Sequence, residues 1–163
     1  MKNFFEEDVD KFYFLHLSDS IKFIPYGILV DHFQHVVYEN PDMTPAQRKQ
    51  AYRDLEKQYL PHKNYEDCKM QKKGTWWYRQ SHIFTSPFYY IDYTLAQVCA
   101  QQFFILNNED HENAWKKYYE LCCLGGSKSF LGLLEESKLE NPFVEGTVQK
   151  IMDKLNEWID DFD

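Results

Sequence analysis

The chain has 163 residues, 44% of them hydrophobic and 18% aromatic, enough for a sizeable core, and its 26 acidic residues outnumber 18 basic ones to give a formal charge of −8. That balance excludes a nucleic-acid surface, which needs a concentrated basic footprint, and the cluster Lys69 to Lys73 is too short to supply one. No stretch approaches a membrane span, acidic residues in MKNFFEEDVDKF stand where a signal peptide has its apolar core, and a cytoplasmic location is expected. Cys68, Cys99, Cys122 and Cys123 show no framework spacing and read as reduced thiols.

In chain order the signals are helical almost throughout. Phe12, Leu15, His16 and Asp19 trace a first helix, and Ile21 to Tyr38 a second, with Pro25 in its opening turn and Asn40-Pro41 closing it. Thr44, Pro45 and Gln47 supply an N-cap, a first-turn proline and a capping-box partner for a polar helix running to about Tyr59, which Pro61 terminates. The charged segment from His62 to Gly74 reads as a mobile loop with at most a short hairpin. Ser86 as N-cap and Pro87 in the first turn open a helix that places Tyr90, Tyr93, Gln97 and Gln101 on one face, with Ile91, Leu95, Val98 and Ile105 elsewhere on it. Asn107-Asn108 makes a turn, Ala114 to Leu124 a helix ended by Gly125-Gly126, and Ser127 caps the short helix SFLGLLEES. Asn141-Pro142 breaks the chain again, and Thr147 opens a last helix whose Val148, Ile151, Leu155, Trp158 and Ile159 share a face. The expectation is an all-α chain, one helical domain over residues 1–163.

The run HIFTSPFYYIDYTLAQ from His82 resembles the C-terminal part of the catalytic domain of zinc oligopeptidases of the oligoendopeptidase F and thimet oligopeptidase type. FFEEDVDKFYFLHL, FIPYGILVDHFQHVVYENP, LCCLGGSKSFLGLL and NPFVEGTVQKIMDKL agree with that family in order and spacing, so the resemblance covers almost all of the chain from Phe4 onward. It implies a helical lobe that binds short peptides. It also implies that His82 and Tyr93 stabilise the oxyanion of the transition state, with Tyr90 and Tyr89 contacting substrate. Read without the resemblance, the same tyrosines are core aromatics with satisfied hydroxyls. Tyr26 and Gly27 in FIPYG fall near the implied peptide groove, with no defined role to carry over.

Such enzymes carry HExxH, two zinc-binding histidines one helical turn apart flanking a glutamate general base. The sequence has no HExxH: in the nearest string, His111-Glu112-Asn113-Ala114-Trp115, tryptophan stands where the second histidine must be. His32 and His35 lie at i and i+3 without a third clustered ligand. Zinc is therefore expected in the complete enzyme and no metal on this chain alone, which would bind and polarise peptides without hydrolysing them. The alternative from another class is a stand-alone helical protein, left by a truncated or split peptidase gene, that self-associates or binds a partner such as a complementing N-terminal segment.

Overall fold

A computed structural model describes residues 2–161, and among these every regular element is a helix. The α-helices are α1 (Lys2–Phe5), α2 (Val9–Glu39), α3 (Pro45–Tyr59), α4 (Lys69–Lys72), α5 (His82–Thr85), α6 (Ile91–Glu109), α7 (His111–Leu124), α8 (Phe130–Ser137) and α9 (Thr147–Asp160). Single 3-10 turns occupy Glu6–Asp8 and Trp76–Arg79. The chain divides into two compact units, one formed by Ile21–Thr94 and the other by the residues up to Ser20 together with those from Leu95 onward.

Several local expectations give way to packing. Instead of two helices, α2 is continuous over 31 residues with Pro25 inside it. Proline lacks an N–H and removes one rung of the ladder, yet Ile24, Leu29, Val30 and Phe33 around it are buried, and that burial outweighs the missing bond. α3 starts as its sequence dictates: the Thr44 hydroxyl accepts from the Gln47 N–H, and the Gln47 side chain accepts from the Thr44 N–H at 2.8 Å. The segment from His62 to Gly74 contains turns and the one-turn α4 and no strand. Asn107 and Asn108 lie within α6, and Asp110 caps α7, which begins at His111 and not at Ala114. Ser129, not Ser127, caps α8, its hydroxyl accepting from the Gly132 N–H.

The unit Ile21–Thr94 is built on Leu29, Phe33, Tyr52, Leu60 and Trp77, with Tyr26, Val37, Leu55, Tyr59, Trp76 and Ile83 packed against them. Phe33 meets Tyr52 edge to face with ring centres 5.2 Å apart, and Trp77 at 5.0 Å, the geometries aromatic quadrupoles favour. Glu56 is fully buried at the edge of this core, where its carboxylate accepts from Arg53 Nη1 at 2.7 Å and from the Tyr65 hydroxyl.

In the other unit Val98, Ala114, Leu134, Ile151 and Leu155 are buried. The α9 face predicted from the sequence is present, with Ile151 and Leu155 innermost and Trp158 edge to face with Phe104 at 5.0 Å. Gln102 clamps the chain near Glu140, donating to its carbonyl at 3.0 Å and accepting from its N–H at 2.7 Å.

Candidate functional site

The histidine and tyrosines singled out in the sequence come together within Ile21–Thr94, but not by the helix expected of them. That helix was to begin at Ser86 and Pro87; instead Ser86 ends the one-turn α5, and residues 86–90 form a turn before α6 starts at Ile91. Tyr90 therefore precedes the helix and Tyr93 sits in its first turn. The turn is pinned from a distance: Gln34, 1% exposed on α2, accepts from the Phe88 N–H at 2.8 Å and donates its own amide to the Val30 carbonyl at 3.1 Å. Phe88 is held at φ 63°, a left-handed conformation that a bulky residue adopts only when its surroundings impose it. Its ring is seated between His35 and Tyr38, with centres 4.9 Å from each.

His82 opens α5 with its imidazole among phenols. Ring centres lie 5.2 Å from Tyr90 and 5.6 Å from Tyr93, both edge to face, and 6.3 Å from Tyr89, nearly parallel. The Tyr93 hydroxyl is 3.4 Å from His82 Nε2. On the other side of the ring, Nδ1 is 2.6 Å from the Gln80 side-chain nitrogen, and the Gln80 oxygen accepts from the Tyr26 hydroxyl at 3.0 Å. Tyr26 in turn presents its ring at 90° to Tyr90. Sequence reasoning missed Gln80 and Gln34, because a lone glutamine carries neither a periodic nor a motif signal. Tyr26, which the sequence places near the implied peptide groove without a role, here meets Gln80.

Tyr90 is buried, whereas Tyr93 and Tyr89 are exposed, so the cluster is anchored at one end and open at the other. Burial pushes the Tyr26 phenol up to about 12, reinforced by neighbouring Tyr90 and Glu56. Burial and Tyr93 likewise raise Tyr90. Tyr93 is raised by loss of solvation, by its hydrogen bond with Tyr89, and by the charge of Asp92. All three phenols keep their protons at neutral pH and so can donate hydrogen bonds. The His82 Nε2 edge with the exposed Tyr93 hydroxyl beside it is an arrangement suited to a carbonyl oxygen that gains negative charge.

The remaining polar residues of the predicted stripe serve the other unit: Gln97 and Gln101 both donate to the Ser20 hydroxyl, at 2.7 and 2.8 Å. His32, His35 and His111, outside the cluster, have partners of their own. His32 Nδ1 bonds the Tyr59 hydroxyl at 2.9 Å, His35 faces Asp31 at 3.4 Å, and His111 bonds Asn107 at 2.7 Å. Among the described residues no three His, Cys, Asp or Glu side chains are placed to share a metal ion. None of the described helices is long and apolar enough to cross a membrane.

The family model for peptidase family M3 matches residues 4–153. Among solved structures, the chain is similar to PZ peptidase A in an inhibitor complex, at 50% identity and a TM-score of 0.94 over 99% of this chain and 29% of that one. A structure designated oligoendopeptidase F matches at 52% identity and a TM-score of 0.91 over 94% of this chain and 27% of that one. Another of that designation, from Bacillus anthracis str. Ames, matches at 46% identity and a TM-score of 0.79, covering 99% of this chain and 25% of that one. The chain thus spans between 25% and 29% of the length of these three proteins. No curated protein sequence matches it.

Proposed function

The chain belongs to peptidase family M3, and from that premise we propose that it forms the C-terminal, substrate-binding part of a zinc metallo-oligopeptidase that hydrolyses short peptides. The observation that carries this reading is the convergence of His82 and Tyr93, with hydroxyl and Nε2 3.4 Å apart, beside Tyr90. His82 and Tyr93 donate to the oxyanion that forms as a peptide carbonyl is attacked, while Tyr90 and Tyr89 position the substrate. Donors fixed before the reaction need no reorganisation during it, and losing one costs about two to three orders of magnitude in turnover. HExxH is absent from the 163 residues and the described residues assemble no metal site, so attack on the carbonyl is not assigned to this chain. The isolated chain binds without turnover; it works in the cytoplasm on short peptides, with the metal-bearing segment supplied by other residues.

The test is a chimera in which this chain replaces the corresponding segment of an intact oligoendopeptidase F. The isolated chain should leave a quenched fluorescent peptide uncleaved with or without added zinc, and the chimera should cleave it. Tyr93→Phe and His82→Ala in the chimera should each lower kcat by about a hundredfold or more. Full turnover in both variants would sink the assignment.

A second reading, a stand-alone helical protein that self-associates, is favoured by the outer face of α7, where Trp115 and Tyr119 are each 61% exposed beside Tyr118. Size-exclusion chromatography with light scattering separates the two: a stable oligomer that binds no peptide favours self-association.

A further inference from the structure

We propose that Gln80, braced by Tyr26, is a positioning residue that sets the proton of His82 on Nε2 and so turns that ring edge into a donor. The proposal deepens the function proposed above. It starts from the short contact of 2.6 Å between the Gln80 side-chain nitrogen and His82 Nδ1. An amide nitrogen offers only N–H donors, so the ring nitrogen facing it must be the bare one. A neutral imidazole has a single N–H, which is then left on Nε2, the atom 3.4 Å from the Tyr93 hydroxyl.

This logic holds only if the amide cannot turn over, because a reversed Gln80 would present its oxygen and demand the proton on Nδ1. Tyr26 disfavours that reversal, because a reversed amide would make the phenol accept and leave its own proton without the Gln80 oxygen. Its hydroxyl donates to the Gln80 oxygen at 3.0 Å, from a half-buried position on α2, 54 residues earlier in the chain. The Gln80 backbone is itself fixed, its N–H donating to the Trp77 carbonyl at 2.9 Å and its carbonyl accepting from Ile83 at 3.2 Å. The relay Tyr26, Gln80, His82 is therefore favoured in the direction in which each hydroxyl and amide proton keeps an acceptor. The chemical consequence is selective: Nε2–H attracts a carbonyl oxygen gaining charge, whereas a bare Nε2 would turn a lone pair toward it and repel it.

The experiment uses the chain labelled with 15N-histidine and long-range proton–nitrogen correlation at alkaline pH, where an imidazole is neutral. His82→Gln assigns the His82 signals among those of six histidines. The wild type should show the Nε2–H tautomer. Gln80→Glu, whose carboxylate only accepts, should reverse it to Nδ1–H. Tyr26→Phe removes one hydroxyl and should move the tautomer ratio toward parity by about tenfold, the effect of about one hydrogen bond. Nδ1–H in the wild type would overturn the proposal, as would an unchanged ratio in Tyr26→Phe, the variant that decides if Gln80→Glu does not fold. The readout requires neither peptide binding nor turnover. A chain that ignores peptides yet keeps Nε2–H refutes the proposed function and leaves this inference standing.

Discussion

Replacing Glu56 with alanine should be the most damaging single change near the site. Its side chain is fully buried, and its carboxylate is shared between Arg53 Nη1 at 2.7 Å and the Tyr65 hydroxyl. Tyr65 carries the chain after α3 back onto the core: its ring meets Trp76 at 5.9 Å, the Arg53 guanidinium lies 5.2 Å over it, and Lys63 and Arg79 flank Trp76 at 4.8 and 4.5 Å. Removing the carboxylate strands a guanidinium that is only 17% exposed and leaves the phenol without its acceptor. Breaking a buried pair from one side costs about 3–5 kcal/mol, a large share of the roughly 5–15 kcal/mol that hold a domain folded. With a urea slope of about 2 kcal/mol/M, the midpoint should fall by about 2 M when unfolding is followed by tryptophan fluorescence. Glu56→Gln keeps an acceptor for Tyr65 and should fall between the two. A Glu56→Ala midpoint within about 0.5 M of wild type would show that the pair contributes little and that the reasoning is wrong.

Gly27 on α2 has no room for a side chain: an added Cβ would lie 1.8 Å from Thr94 Oγ1, a buried hydroxyl with no hydrogen-bond partner among the described residues. Gly27→Ala should cost about 1–3 kcal/mol in thermal denaturation, and adding Thr94→Ala should recover part of it; purely additive losses would exclude the clash. Because folding raises the Tyr26 phenol from 10.0 to about 12, the protonated form is favoured in the native state. The stability this gives is complete below pH 10 and is lost as pH rises toward about 12, so the melting temperature should fall across that window, and less steeply in Tyr26→Phe. Burial pushes the Cys99 thiol up to about 11, while Cys122 and Cys123 are exposed. Native-state maleimide labelling read by mass spectrometry should modify that exposed pair well before Cys99, and equal rates would contradict the burial.

Features encoded within a few residues were legible in the sequence. The Thr44, Pro45, Gln47 start signal and the apolar face of α9 depend on neighbours one turn away, and both are present as read. Where distant groups intervene, local rules lose. Ser86-Pro87 is a sound helix opening by itself, but Gln34, 54 residues away, takes the Phe88 N–H and bends the chain into a turn that delays α6 to Ile91. Pro25 reads as a boundary until the burial around it is known. Ser127 and Ser129 are equivalent caps on paper, and the fold selects the second. At the candidate site His82, Tyr89, Tyr90 and Tyr93 stood out through the resemblance and their crowding in sequence. Gln80 did not, because its part depends on Tyr26 arriving from another helix.

The capping box on α3 also has a kinetic consequence. A helix of 15 residues is marginal by itself, but a start written in Thr44, Pro45 and Gln47 biases it toward one register without help from distant segments. The rest of that core, Trp77 above all, must close a loop onto Tyr52 and Leu60, and so joins later. In such an order α3 is a template already in place in the transition state. Weakening its cap with Thr44→Ala would then slow folding and leave the unfolding rate nearly unchanged, whereas truncating Trp77 would act mainly on unfolding.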